Sequence, residues 1–180
     1  RAVDAVVVAT PPQTAARLTG IDAIPTEGIG CVTQHYRVPG TDSLETDRRL
    51  LLNAGGTKPN TVVPMSAVAP EYATDDALLL NATFLGEDVQ STDSETLAEQ
   101  THDALSSWYP DRTFEQLELL TTDRIPFAQF TQPLGVHESL PSARAGDQRT
   151  YLAGEYTEWS SIQGAMTSGR KAAAAVLDDG

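Results

Sequence analysis

The hydrophobic pattern divides the chain into an opening strand and helix, a strand-rich middle with one helix, and a closing strand and helix. Residues 3–9 form a β-branched run with a single charge, which is typical of a strand buried on both faces of a parallel sheet. Pro12 or Gln13 begins a short helix that continues to Leu18, and Gly20 ends it. Further strands, separated by turns that contain Gly, Pro or Asp, are predicted over residues 28–38, 50–52, 61–64, 77–85, 115–121 and 125–130.

The longer helices lie in the second half of the chain. Over residues 94–108, apolar side chains recur near the helical spacing of 3.6 residues, and Ser91, Asp93 or Ser94 can cap the first turn. The remaining segments are a loop at 135–146, a short strand at 150–153 and a helix with an alanine-rich face at 161–177.

This order of elements predicts a fold class between α+β and α/β. We expect a β-rich mixed sheet with a helix in the middle, flanked by a terminal strand and a strand-helix piece. In a two-lobed α/β protein, the two ends would belong to one lobe and the middle would form the other. Within the strand at 28–38, we expect apolar positions at Ile29, Cys31 and Tyr36 to alternate with polar ones.

The charge of the chain limits its partners. Lys and Arg number 12 and Asp and Glu 25, which gives a net charge of −13. Such a surface repels polyanions, so we expect no nucleic-acid partner and no attraction to an anionic membrane. Only Lys58 and Lys171 are lysines, and this composition resembles that of proteins from salt-adapted organisms; an ordinary acidic cytosolic protein is the alternative.

Other chemistry-bearing residues give weak signals. Cys31 is the only cysteine, which excludes an internal disulfide and a cysteine-ligated zinc site. No run of 18 apolar residues predicts a membrane span, and we expect no metal. Structural or surface roles are predicted for His35, His102 and His137, a core role for Trp108 and Tyr109, and a solvated surface for Asp75, Asp76, Asp178 and Asp179.

Residues 150–176 are the most informative stretch. A short apolar strand ends at a Gly-Glu pair, and a serine after the next loop can cap a helix. Gly164 and Gly169 each cost that helix about 1 kcal/mol relative to alanine, which suggests close packing against its first two turns. The N-terminus of the helix suits an anion or a carbonyl group, but tight packing of a small-residue helix on a sheet explains the glycines equally well. The residues alone leave both interpretations open.

The same stretch resembles the C-terminal cofactor motif of the flavin-containing amine oxidase superfamily, which includes amine oxidases, protoporphyrinogen oxidases and carotenoid-type desaturases. The matching segments are Ala153-Gly154-Glu155, Ile162-Gln163-Gly164-Ala165 and Ser168-Gly169-Arg170 followed by Ala172-Ala173. Residues 4–12 and 124–128 are also similar to segments of the family, whereas residues 28–110 match in strand order without a specific motif.

The resemblance implies a cofactor, FAD, held in a Rossmann-like lobe and accepting hydride from the substrate. It places Glu155 near the ribityl and pyrophosphate part of FAD, and the start of the last helix at the flavin pyrimidine ring, where helix N–H groups stabilise the charge of reduced flavin. Gly164 would let the ring approach, and Tyr156 and Trp159 would either line the flavin or pack. The implied cofactor-binding residues are Gly154, Glu155, Ser161, Ile162, Gln163, Gly164 and Ala165.

The Gly-x-Gly-x-x-Gly fingerprint that holds the FAD pyrophosphate is absent from these 180 residues. We therefore expect a C-terminal piece of a longer enzyme, inactive by itself. Its expected parts are an end piece of the FAD lobe at 1–20, a substrate-binding lobe at 21–148, and the closing strand and helix of the FAD lobe at 149–180.

The implied function is FAD-dependent oxidation of a small organic substrate, and no catalytic residue is assigned. Neither lysine is placed like the lysine that amine oxidases hold near the flavin, and Ala-Gly-Glu-Tyr-Thr is similar to the corresponding stretch of plant-type carotenoid desaturases. Both points favour an apolar isoprenoid-like substrate over an amine. The expected location is the cytoplasm, at a membrane periphery if the substrate is a lipid. The alternative is a non-catalytic acidic interaction domain that keeps the fold.

Overall fold

The computed structural model describes residues 3–40, 44–73, 77–145 and 149–180. The chain forms two compact units, one made of Arg1–Gly28 and Gln129–Gly180, the other of Ile29–Ala128. The assignment of residues 1–20 and 149–180 to an FAD lobe, and of 21–148 to a substrate lobe, stays a prediction. Asp75 and Asp76 lie outside the described residues.

The first unit is built on a small parallel sheet. Strand β1 (Val6–Val8) pairs with the last strand, Thr150–Leu152, with Val7 opposite Tyr151. Helix α1 (Pro12–Thr19) begins with proline at its first position and ends at Gly20, whose φ of 69° is left-handed, so both predicted ends are confirmed. The closing helix, Ile162–Asp178, packs on this sheet through Ala172 and Ala175, which are buried beside Tyr151.

The expectation that the opening strand is buried on both faces is wrong for the described chain. Val6 and Val7 are 46% and 47% exposed, and only Val8 is buried. The physical reason is the size of the sheet: β1 has one strand beside it, so its neighbours shield only part of its surface.

The second unit contains a five-stranded sheet and one long helix. The strands are β2 (Gly28–Pro39), β3 (Leu51–Leu52), β4 (Thr61–Pro64), β5 (Ala77–Leu85) and β6 (Glu118–Phe130). Their spatial order is β3-β4-β5-β2-β6, with β3–β4, β4–β5 and β2–β5 antiparallel. A one-turn helix, α2 (Met65–Val68), follows β4, and α3 (Ser94–Trp108) packs on one face of the sheet. We label the closing strand and helix of the first unit β7 and α4.

The face of β2 that packs against α3 differs in part from the expected one. Val32, Gln34 and Tyr36 are buried on it, whereas Ile29 is 39% exposed. Cys31 is buried as expected, but it lies on the opposite face because successive strand residues alternate. Packing between neighbouring strands determines which face of β2 is buried, because Tyr36 lies opposite Leu80 of β5 in the core.

The helix and strand bounds otherwise follow the hydrophobic pattern closely. Asp93 is the residue that caps α3, because its carboxylate accepts a hydrogen bond from the Thr96 N–H at 2.8 Å. The two extended segments expected around Arg124 form one continuous strand, β6. The expected α+β to α/β class is confirmed. No helix in the described ranges is long and apolar enough to cross a bilayer.

Arg124 has a structural role at that point of β6. Its guanidinium donates to the carbonyl oxygens of Val89, Gln90 and Thr92 at 2.9, 3.0 and 2.6 Å. The several N–H donors of a guanidinium can bind three neighbouring carbonyl oxygens at once, so the Arg124 side chain holds the turn at residues 89–92 against β6.

Candidate functional site

The candidate site is the turn between β7 and α4 in the first unit. After Leu152 the backbone is extended at Gly154, and Glu155–Thr157 then forms a 3₁₀ turn. A Cβ atom added at Gly154 would overlap the ring of Tyr156, so glycine is required there by space. Tyr156 is buried, and its hydroxyl donates to the carbonyl oxygen of Val8 at 3.4 Å. The turn is therefore packed onto β1.

A second set of contacts holds the turn to the middle of α4. The buried Ser168 Oγ accepts a hydrogen bond from the Gly154 N–H at 2.8 Å and lies 2.6 Å from Thr157 Oγ1. The Thr157 hydroxyl donates to the carbonyl oxygen of Gly154 at 3.1 Å. Ser168 belongs to the family motif, but the sequence assigned it no role. The available signal was its spacing of four residues from both Gly164 and Ala172, which places all three on one face of the helix.

Glu155 extends from this turn toward the loop before α4. Its Oε2 accepts a hydrogen bond from Ser160 Oγ at 2.8 Å, and the Ser160 N–H donates to Gln132 Oε1 at 3.0 Å. The side chain is therefore anchored through Oε2, and among the described residues Oε1 has no hydrogen-bond partner. Such a carboxylate suits a hydroxyl group of a ligand better than a phosphate, because like charges repel.

The start of α4 presents backbone donors. Ser161 is the N-cap, and its Oγ accepts from the Gly164 N–H at 2.8 Å, while its carbonyl accepts from the Ala165 N–H at 3.0 Å. In the described part of the chain, the N–H groups of Ile162 and Gln163 have no hydrogen-bond partner, and Ile162 is 77% exposed. These donors fit an electron-rich carbonyl, such as that of a flavin, so the donor set at this turn is compatible with the cofactor that the motif implies.

Gly164 lies against the loop before α4, and its expected contact with the flavin ring stays a prediction. A Cβ atom added there would overlap the carbonyl oxygen of Trp159, so the chain's own turn requires this glycine. The absence of a side chain at Gly164 is thus explained without a ligand. Gly169 has no atom within 4 Å of the position that a Cβ would take, and nothing in its unit explains it.

The remaining aromatic and ionic groups support the turn. Tyr156 is buried in packing, whereas Trp159 is 41% exposed. Glu158 pairs with Lys171 of α4, and its carbonyl oxygen lies 3.1 Å from Nδ1 of His137. The loop before α4 is therefore fixed from three directions: by α4 itself, by Gln132 and by His137.

Two of the histidines lie next to carboxylates rather than in the candidate site. Nε2 of His35 lies 3.3 Å from Oδ2 of Asp123, and Nδ1 of His102 lies 3.4 Å from Oδ1 of Asp103. Trp108 and Tyr109 are partly buried and pack on the core as expected. Asp179 is not simply solvated, because Arg144 and Tyr151 hydrogen-bond to its carboxylate. Among the described residues, no three His, Cys, Asp or Glu side chains cluster as metal ligands would.

Several solved structures share the fold of this chain. In solved structures, the chain is similar to a protein assigned as a protoporphyrinogen oxidase from Exiguobacterium sp. 255-15 (TM-score 0.70, 15% identity, 97% of this chain and 41% of that one). It is also similar to an oxidoreductase from Methanosarcina mazei (0.66, 12%, 99% and 43%) and to reduced UDP-galactopyranose mutase (0.65, 14%, 86% and 36%). No curated protein matches the sequence.

These likenesses show the fold, and the chain spans about two fifths of the length of the solved structures it matches. The family follows from the sequence itself. The family model for flavin-containing amine oxidoreductases matches residues 1–177, which is nearly the whole chain. The chain therefore belongs to the flavin-containing amine oxidoreductase family.

Proposed function

We propose that these 180 residues are part of an FAD-dependent oxidoreductase, and that the turn between β7 and α4 contacts the flavin. The observation that carries the proposal is the pair of N–H groups of Ile162 and Gln163 at the start of α4, which have no partner within the described ranges and lie beside the Ser161 cap and the anchored Glu155. The family match over residues 1–177 supports the identity of the cofactor.

Each of these residues has a definable task. The N–H groups of Ile162 and Gln163 stabilise negative charge that develops on a flavin carbonyl, since a helix N-terminus carries partial positive charge. Glu155 accepts a hydrogen bond from a ribityl hydroxyl, and Ser161 keeps the first turn of α4 in place. When bound, FAD supplies hydride acceptance from the substrate, while the protein supplies its orientation and electrostatics.

The substrate that we propose is a small organic molecule with polar groups. The face of the second unit's sheet opposite the core carries Thr33, His35 and Arg37 on β2, and Asn81 lies directly opposite His35 on β5. His35 already pairs with Asp123 and Arg37 with Glu118, so a wholly apolar polyene on this face would remove these polar groups from water without offering them any hydrogen bond, which is costly. The sheet thus favours an amine or another polar substrate over the isoprenoid-like class that the motif suggested.

The full reading frame and its protein test the cofactor. We expect the reading frame upstream of residue 1 to encode a strand followed by Gly-x-Gly-x-x-Gly. We also expect the purified full-length protein to show flavin absorbance at about 450 nm. The 180 residues expressed alone should be colourless and inactive, because they contain no such fingerprint. A full-length protein that is folded and colourless would overturn the proposal and leave the non-catalytic interaction domain in its place.

Turnover tests the substrate class separately. Flavin bleaching under anaerobic conditions, measured with a panel of amines, porphyrinogens and polyenes, reports which class donates hydride. Reduction by amines alone supports the polar substrate, and reduction by polyenes alone contradicts it without affecting the cofactor assignment.

A further inference from the structure

The hydroxyl groups of Ser168 and Thr157 form a closed hydrogen-bond ring with the backbone of Gly154. Thr157 Oγ1 donates its single proton to the Gly154 carbonyl oxygen at 3.1 Å. Ser168 Oγ, 2.6 Å from Thr157 Oγ1, must then be the donor between the two hydroxyls. Since Ser168 Oγ also accepts from the Gly154 N–H at 2.8 Å, the ring leads from Gly154 N–H through both hydroxyls back to Gly154 C=O.

The ring connects two parts of the candidate site that are distant in sequence. Gly154 precedes Glu155, whose carboxylate is the proposed ribityl acceptor, and Ser168 lies two turns after the start of α4. Ser168 is fully buried, so solvent cannot replace its bonds. The ring therefore sets the spacing between the Glu155 carboxylate and the free N–H groups at the start of α4.

We propose that Ser168 and Thr157 are positioning residues for the flavin, acting through Gly154 rather than touching the cofactor. This inference rests on the proposed function, because it needs a flavin at this turn. A cofactor held by preorganised donors loses affinity when their support loosens.

Isosteric variants separate positioning from packing. Thr157→Val keeps the shape of the side chain and removes its hydroxyl, Thr157→Ser keeps the hydroxyl, and Ser168→Ala removes the centre of the ring. We expect Thr157→Val and Ser168→Ala to weaken FAD binding about tenfold in the full-length protein and to shift the visible spectrum of the bound flavin. Thr157→Ser keeps the hydroxyl, so its FAD affinity and flavin spectrum should match those of the wild type. Amide hydrogen exchange at Gly154 should accelerate only in Thr157→Val and Ser168→Ala.

Thr101→Val in the second unit is the matched control. Thr101 is also a fully buried hydroxyl, bonded to the Leu97 carbonyl at 3.1 Å. Thr101→Val should lower the midpoint temperature of thermal unfolding while leaving the FAD dissociation constant and the flavin spectrum unchanged. If Ser168→Ala and Thr157→Val behave like this control, the inference is overturned and the proposed function stands. If the wild-type full-length protein binds no flavin, the proposed function fails.

Discussion

The Nζ atom of Lys171 lies 2.7 Å and 2.9 Å from the two carboxylate oxygens of Glu158, joining the loop before α4 to the middle of that helix. The glutamate side chain is only 10% exposed, whereas the lysine is 59% exposed. The pair is thus asymmetric: water can solvate the lysine without its partner, but it cannot do the same for the glutamate.

Removing the lysine should therefore cost more than an exposed ion pair contributes. We expect Lys171→Met to lower the free energy of unfolding by about 1 to 2 kcal/mol, because the largely buried Glu158 carboxylate is left without its counter-charge. The double variant Glu158→Gln with Lys171→Met should recover most of the loss. Urea denaturation measures both, with Arg170→Met on the exposed face of α4 as the control. A double variant no more stable than Lys171→Met alone would show that the burial of the carboxylate is not the cause.

The two glycines of α4 should respond to alanine with opposite signs. At Gly164 the new Cβ meets the carbonyl oxygen of Trp159, so Gly164→Ala should destabilise the chain by about 1 to 3 kcal/mol despite its better helix propensity. At Gly169 the Cβ meets nothing within 4 Å, so Gly169→Ala should stabilise the 180-residue chain by about 0.5 to 1 kcal/mol.

Thermal unfolding of both variants checks this contrast. Ala173→Gly, at another exposed position of α4, calibrates the helix propensity in the same context. If Gly169→Ala also destabilises the chain, another group occupies the space beside Gly169, which would contradict the prediction that a Cβ atom there meets nothing.

The helix and strand bounds could be predicted because local signals specify them. The apolar spacing and the Asp93 cap define α3, and proline and glycine bound α1. The details of the site depend instead on residues far apart in sequence. Ser168 reaches Gly154 across 14 positions, and neither periodicity nor turn chemistry shows which backbone group a buried serine will meet. Gly164 illustrates the same limit, since its partner is a carbonyl that only the folded turn brings close.

Asp179 should make the end of α4 sensitive to acid. Bonds from the Arg144 guanidinium at 3.0 and 3.1 Å, and then from the Tyr151 hydroxyl at 2.9 Å, hold the pKa of Asp179 below its usual value. A lowered folded-state pKa means that the stabilisation is complete above the ordinary aspartate pKa and is lost as the pH falls through the folded value.

The pH dependence of unfolding for wild type and Asp179→Asn tests this. The wild type should be more stable at neutral pH, and the difference should vanish in strong acid. Asp178→Asn is the control, since Asp178 is 72% exposed and lies 3.6 Å from Arg144. A gap between wild type and Asp179→Asn that persists unchanged at low pH would contradict the assignment.

Tyr36 should make the second unit sensitive to alkali. Burial raises the pKa of Tyr36 to about 12, with a smaller opposing effect of its hydrogen bond with Thr101 at 3.0 Å. The folded state therefore keeps this proton to higher pH than the unfolded chain, in which the pKa of tyrosine is about 10. The contribution is complete below the unfolded value and is lost as the pH rises from about 10 toward 12.

Tyr36→Phe removes this titration together with the hydrogen bond to Gln34 Oε1. At neutral pH we expect it to cost about 1 to 2 kcal/mol, because the buried amide oxygen of Gln34 loses its donor. Above about pH 10 the wild type should lose stability faster than the variant, so the two curves should converge. Tyr72→Phe, at a 58% exposed tyrosine, should follow the wild type throughout. Parallel curves for wild type and Tyr36→Phe up to pH 12 would mean that Tyr36 does not keep its proton in the core.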